Sequence, residues 1–328
     1  MSDPPVERIE GQLTLLLRSL ETLRLIGRHL SPPELADLLE QVGFPEQDLH
    51  AVRASARPWP EAFSALGAQL DTASDETLAA FDGLRASATD PGGVREVFRA
   101  MRHAPRALEA LYPLAGILPP VNRFFLEPEL GRDDAFQKSF LRPPTGETGV
   151  IRFGDDPNAR ETVWVHVPET YSADVAHPLV MALHGGGGRG RGFLWSWVRE
   201  TRSRGAILVA PTSLGDTWAI QGADMDTPHL AHILAFVRGR WNIDAGRMML
   251  TGMSDGGTFT YVSGLESSSP FTHLAPIAAA FHKMMVQTAN ADRLRSLPIH
   301  IVHGLKDWMF PADMAREAER HFTSAGAA

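Results

Sequence analysis

Three short apolar runs in the second half of the chain each stop at a loop rich in glycine and polar residues, and that recurrence limits the possible folds more than any other feature. Leu179 to Leu183 ends in His184-Gly185-Gly186-Gly187-Gly188. Met248 to Thr251 ends in Gly252-Met253-Ser254-Asp255-Gly256-Gly257. Ile299 to Val302 ends in His303-Gly304-Leu305-Lys306-Asp307. From Gly149 onward such runs alternate with helical patterns. Ile151 to Phe153 and Thr162 to Val167 read as opening strands, a helix is predicted near Leu194 to Ser203, and Ala206 to Ala210 reads as a strand. Asp226 is placed to cap a helix with Leu230, Ile233, Leu234 and Val237 on one stripe. Leu274 to Ala280 reads as a strand, and a helix follows from about Pro311 to Phe322. The alternation predicts an α/β fold with a mainly parallel sheet and helices on both faces. In such sheets the loops at the carboxyl ends of the strands assemble the site.

The chain has a different character before residue 145. Leu13, Leu16, Leu17, Leu20 and Leu23 recur at helical spacing within Gln12 to Leu30. Ser31 as N-cap, Pro32 at the first helical position and Glu34 predict a second helix that stops near Gly43 and Pro45. Further helical patterns cover Glu61 to Leu70, Glu76 to Ser87 and Val94 to Leu111, separated by Asp/Ser or Pro/Gly punctuation. Pro113 to Gly149, with Pro119-Pro120, Pro128 and Pro143-Pro144, reads as a connector. Two parts are expected: an all-helical region 1–145 ending in this proline-rich connector, and an α/β domain 146–328.

The second of the three runs carries chemistry. A serine flanked two residues away on each side by glycine, directly after a strand and before a helix, is a nucleophile elbow. The turn holds the serine in a strained backbone conformation with its hydroxyl pushed out of the sheet. The glycines leave room where a Cβ would strike a neighbouring element. In a chain with 29 glycines the pattern is weak by itself, and the two companion loops give it weight.

His184-Gly185-Gly186, Gly252-Met253-Ser254-Asp255-Gly256 and His303-Gly304-Leu305-Lys306-Asp307 occur in an order and spacing that resembles the α/β-hydrolase superfamily. Within it the chain is similar to the small serine esterases, the polyhydroxybutyrate-depolymerase-like, feruloyl-esterase-like and phospholipase/carboxylesterase-like groups. The resemblance covers residues 150–328. It implies hydrolysis of carboxylic esters through an acyl-enzyme on Ser254, with Asp307 as the acid that orients the base. It implies an oxyanion hole made by the backbone N–H of Asp255 and by that of Gly185 or Gly186. Trp218 is a core residue or lines the acyl or alcohol pocket. The substrate expected is a small-molecule or lipid-like ester, with no cofactor.

The resemblance also implies a catalytic histidine on a loop after one further strand. Only 21 residues follow Asp307, and His321 alone among the 13 histidines lies within them. It stands in a helical pattern and reads as an ordinary helix residue. The final strand and histidine loop are therefore expected to be absent, leaving a truncated enzyme, or a natural one that lost its base, with impaired activity. The first is the reading we favour, and a final strand with its histidine loop is expected to restore turnover. His184 and His303 read as structural residues that fix their loops through hydrogen bonds.

Other classes of function fit less well. Gly185 to Gly190 satisfies a dinucleotide fingerprint, yet no acid follows at the end of the next strand to hold a ribose. Asp224, Asp226, His229 and His232 could be drawn as a metal cluster, but read as a helix start with polar neighbours, so no metal is expected. A formal charge of −8 disfavours a nucleic-acid partner. The absence of cysteine excludes thiolate sites and disulfides and fits a cytoplasmic location. No run of 18 or more apolar residues predicts a transmembrane segment. A non-catalytic binding protein on the same fold is the remaining rival.

Overall fold

The computed structural model describes residues 5–89, 93–140, 146–295 and 297–328. The chain divides into two compact units, Met1–Gln137 and Lys138–Ala328. The expected boundary after residue 145 and the pair Pro143-Pro144 fall at or within 141–145, outside the described residues.

The first unit is built from helices α1 (Pro5–Arg28), α2 (Leu35–Val42), α3 (Gln47–Ala54), α4 (Ser64–Ala88), α5 (Val94–Met101), α6 (His103–Leu111) and α7 (Pro119–Phe124); α8 (Asp134–Ser139) straddles the division. The leucine stripe of α1 is buried as predicted, at Leu13, Leu16, Leu20 and Leu23. Helix α4 is one element where the sequence predicts two. The expected break at 71–75 is helical, and its Ser74 hydroxyl bonds back within the helix, donating to the carbonyl of Leu70 at 2.8 Å. The Ser31 side chain makes no cap bond, and Pro32 instead opens a 3-10 turn before α2. The stretch expected to be a connector is partly helical, because Pro119 and Pro120 occupy the first helical positions of α7, where a missing N–H costs nothing.

The second unit has strands β1 (Gly149–Phe153), β2 (Val163–Val167), β3 (His177–Leu183), β4 (Ile207–Ala210), β5 (Ile243–Met253) and β6 (His273–Ile277). Its helices are α9 (Gly190–Leu194), α10 (Val198–Ser203), α11 (Asp226–Arg240), α12 (Asp255–Gly264), α13 (Met284–Thr288), α14 (Ala291–Leu294) and α15 (Ala312–Ser324). The six strands form one sheet in the order β1-β2-β4-β3-β5-β6, with helices on both sides. Strands β4, β3, β5 and β6 are mutually parallel, whereas β1–β2 and β2–β4 are antiparallel. Residues 299–302 continue the sheet beyond β6 through parallel bridges Leu274 to Ile299 and Ile277 to Val302. This is the α/β-hydrolase fold.

The core of this unit follows from pattern. β2, β3 and β4 are almost wholly buried, so their apolar residues run continuously instead of alternating. The stripe Leu230, Ile233, Leu234 and Val237 of α11 is buried as its spacing predicts. Asp226 is a correction. It is the first residue of α11 and Met225 is the N-cap, while the Asp224 carboxylate accepts the Thr227 N–H at 2.9 Å. The Asp226 carboxylate has another use, described below.

Candidate active site

Ser254 stands between the end of β5 and the start of α12 with φ 55° and ψ −119°, a region costly to any residue with a Cβ. Three hydrogen bonds hold it there. Its N–H donates to Ile277 O at 2.9 Å, and its carbonyl accepts from Thr258 N at 2.8 Å and Thr258 Oγ1 at 3.2 Å. The glycines expected at the elbow are needed for close approach: a Cβ on Gly252 would meet the backbone of Gly256, and one on Gly256 the carbonyls of Leu183 and His184. Ser254 is half-buried, and no hydrogen bond is made by its hydroxyl among the described residues.

The loop after β3 passes beside the elbow. A Cβ built on Gly185 would lie 3.5 Å from Ser254 Cβ, in ordinary contact. The N–H groups of Gly185, Gly186 and Asp255 carry no hydrogen bond among the described residues. Three free donors next to one half-buried hydroxyl provide the parts from which an oxyanion site is made.

His184 is 1% exposed and works as a loop anchor. Its Nε2 accepts the Ser213 N–H at 3.1 Å, so its Nδ1 carries the proton and donates to Gly185 O at 2.7 Å. Burial lowers its pKa, which keeps it neutral. Trp218 belongs to the same shell. It is 2% exposed, its Nε1 donates to His184 O at 2.7 Å, and its ring stacks on Phe259 with centroids 5.5 Å apart. It is packed in the buried core cluster of this unit.

Asp307 lies on the loop after residues 299–302, two strand positions across from the elbow at the same carboxyl edge. At a spacing of ~4.8 Å per strand the backbone of 299–302 runs about 10 Å from that of β5. Asp307 Oδ1 accepts the N–H groups of Met309 and Phe310, both at 2.9 Å, and Oδ2 lies 3.4 Å from His303 Nε2. His303 Nε2 donates to Phe310 O at 2.9 Å, so this histidine closes the acid's own loop. His321 lies on α15 beside Glu317 and against the Phe281 ring, as expected of a helix residue. Among the described residues no histidine is hydrogen-bonded to Ser254.

The sequence places Asp216, Thr217 and Trp218 in a loop between β4 and Asp226, but not the bonds by which the loop 211–219 holds the site. Thr212 Oγ1 accepts the Gly190 N–H at 3.0 Å, Asp216 O accepts that of Gly187 at 3.2 Å, and Thr217 Oγ1 donates to Asp255 Oδ2 at 2.5 Å. Asp226, 2% exposed, accepts the N–H groups of Leu214 at 2.9 Å and Ala219 at 2.8 Å. Arg160 donates to the carbonyls of Ser213 and Gly215 from outside. The available signal was position: Asp216-Thr217-Trp218 is a polar loop at the same sheet edge as the three glycine loops. The residues Asp224, Asp226, His229 and His232 do not gather as metal ligands, and no group of three or more potential ligands occurs among the described residues.

No family model matches the chain. It is similar to a bifunctional acetylxylan esterase/xylanase of Neocallimastix patriciarum, 29% identical over 158 residues, which is 46% of this chain and 22% of that protein. It is also similar to "Probable feruloyl esterase C" of Aspergillus oryzae, 29% identical over 181 residues, 52% of this chain and 62% of that one. The match thus spans less than two thirds of either relative. Among solved structures, a thermostable esterase aligns with 23% identity over 54% of this chain and 52% of its own, with a TM-score of 0.44.

Proposed function

We propose, from an α/β-hydrolase fold carrying a strained serine at its elbow, that this chain is a carboxylic ester hydrolase that forms an acyl-enzyme on Ser254. The observation that carries the reading is the set of unbonded N–H groups of Gly185, Gly186 and Asp255 around the free Ser254 hydroxyl. The similarity to a feruloyl esterase and an acetylxylan esterase supports the same reaction class. Ser254 Oγ attacks the acyl carbon, and the N–H of Asp255 with that of Gly185 or Gly186 receives the developing oxyanion. The C–O bond to the alcohol then breaks and the alcohol leaves with a proton. Water next cleaves the acyl-enzyme, releasing the acid and restoring the hydroxyl.

The substrate is a small-molecule or lipid-like ester. Exposed apolar side chains at the rim, Met253 at the end of β5 and Leu305, Trp308 and Met309 on the loop after residues 299–302, support apolar groups on the acyl or alcohol side. Asp307 takes the place of the orienting acid. The reading carries no assigned base: among the described residues no histidine is hydrogen-bonded to Ser254, and the Nε2 atoms of His184 and His303 are bonded elsewhere. Turnover by residues 1–328 is accordingly slow, sustained by the oxyanion donors and by binding.

A fluorophosphonate probe, followed by intact mass and peptide mapping, tests the nucleophile. One adduct on the peptide containing Ser254, absent in Ser254→Ala, is the expected result. No adduct at Ser254 after prolonged incubation overturns the serine mechanism. A rate of ~10 s⁻¹ on 4-nitrophenyl acetate, an ordinary enzyme turnover, would instead overturn the missing base.

A further inference from the structure

Asp255 occupies an awkward place for the proposed reaction. Its backbone N–H is one of the oxyanion donors, yet its side chain is a carboxylate in the same corner of the site. A Cβ built on Gly186 would lie 2.6 Å from Asp255 Oδ2, so the charge rests against the loop that offers the second donor. A negative group there opposes an oxyanion by simple repulsion, and it is also an acceptor able to take up a free N–H such as that of Gly186. The structure shows what restrains it. Thr217 Oγ1 donates to that same Oδ2 at 2.5 Å, a charge-assisted bond in the short range.

Thr217 is itself firmly held. Its neighbour Asp216 accepts the Gly187 N–H, its other neighbour Trp218 donates to His184 O, and Asp226 ties both Leu214 and Ala219. Two of these bonds run to the donor loop 184–188, and the Thr217 hydroxyl runs to the first residue of α12. One short segment therefore grips both sources of oxyanion donors.

We propose that Thr217 is a positioning residue: by clasping Asp255 Oδ2 it keeps the carboxylate out of the oxyanion hole and fixes the Asp255 N–H against those of Gly185 and Gly186. The inference rests on the oxyanion site proposed above and assigns it a determinant that acts through Asp255. Thr217→Ser keeps the donor. Thr217→Val keeps the shape and removes it, so the carboxylate is free to turn toward Gly186.

The test uses the initial rate on 4-nitrophenyl acetate above the buffer rate, together with hydrogen exchange of the peptide spanning residues 184–190. It compares the wild-type chain with Thr217→Val, Thr217→Ser, Asp255→Ala and the double variant Thr217→Val/Asp255→Ala. Thr217→Val is expected to lower kcat about tenfold with KM within about twofold, on the scale of one lost charge-assisted hydrogen bond, while Thr217→Ser stays near wild type. In the Asp255→Ala background, Thr217→Val is expected to change nothing further. Exchange at 184–190 slows in Thr217→Val alone, because the freed carboxylate takes up the Gly186 N–H. The inference is overturned if Thr217→Val keeps wild-type kcat, if its loss persists undiminished in the Asp255→Ala background, or if exchange is unchanged. A wild-type rate equal to buffer defeats the hydrolase reading itself, and exchange then decides the clasp: slower exchange in Thr217→Val and not in Thr217→Ser upholds it, and unchanged exchange removes it.

Discussion

At the scale of single residues, the second unit stores strain where chemistry is proposed. Ser254 and Ala278 are the non-glycine residues with positive φ among the described ones, at 55° and 47°. Both belong to the same corner. Ser254 N–H donates to Ile277 O, the residue before Ala278, and Ala278 N–H donates to Val302 O at the start of the acid loop. Thr258 joins them from α12, since its hydroxyl donates to Ser254 O and accepts the Ala280 N–H at 3.0 Å. Strain of this kind persists only where surrounding bonds over-determine the backbone, and its cost is measurable by removing the Cβ. Ser254→Gly is therefore expected to be more stable than Ser254→Ala by about 1–3 kcal/mol in urea unfolding. Equal midpoints for the two variants would show that the elbow backbone is relaxed. Neither variant has the hydroxyl, so the comparison isolates conformation from function.

Among elements, loops held by buried polar side chains do as much for the site as strands do. Asp226 is the clearest case, a buried carboxylate whose two acceptors close the segment between Leu214 and Ala219. Asp226→Asn preserves volume and turns one acceptor into a donor that faces an N–H. A cost of about 1–3 kcal/mol and faster hydrogen exchange across 213–219 are expected, and wild-type exchange in that segment would show that the carboxylate does not hold it. The same bonds explain what was legible beforehand. Strands β3 and β5, the run 299–302, the elbow and the stripe of α11 were visible because they follow local rules of periodicity and glycine placement. The bonds of the loop 211–219 were not. Thr212 bonds Gly190 at 22 residues' separation and Thr217 bonds Asp255 at 38, and a side-chain bond between loops leaves no period to detect. Two departures in the helical unit have the same origin: Ser74 lies in the expected break while its hydroxyl bonds back into α4, and Pro119 lies in the expected connector while it starts α7.

The molecule as a whole couples stability to pH through histidines buried in the α/β unit. His166, on β2 between β1 and β4, is wholly buried, and loss of solvent pushes its pKa down to about 4; nearby Glu169 raises it in part and Arg202 lowers it further. His184 is also depressed, chiefly by burial. Above pH ~6.5 these rings are neutral in both folded and unfolded chains and cost nothing. As pH falls below that value the unfolded chain takes up protons that the folded chain refuses, so stability drops until the folded pKa is reached. For His166 the window runs from about 6.5 to about 4, and the full loss across it is on the order of 3 kcal/mol. Tryptophan fluorescence reports this unit selectively, since Trp59 alone of the 7 tryptophans lies before residue 138. Urea unfolding followed by fluorescence should show a midpoint that is flat above pH 7 and falls steadily toward pH 4. His166→Gln, which cannot take up a proton, should unfold with a shallower pH dependence whatever its stability at neutral pH. The same slope in the variant and the wild type would place the acid sensitivity elsewhere than in the buried ring on β2.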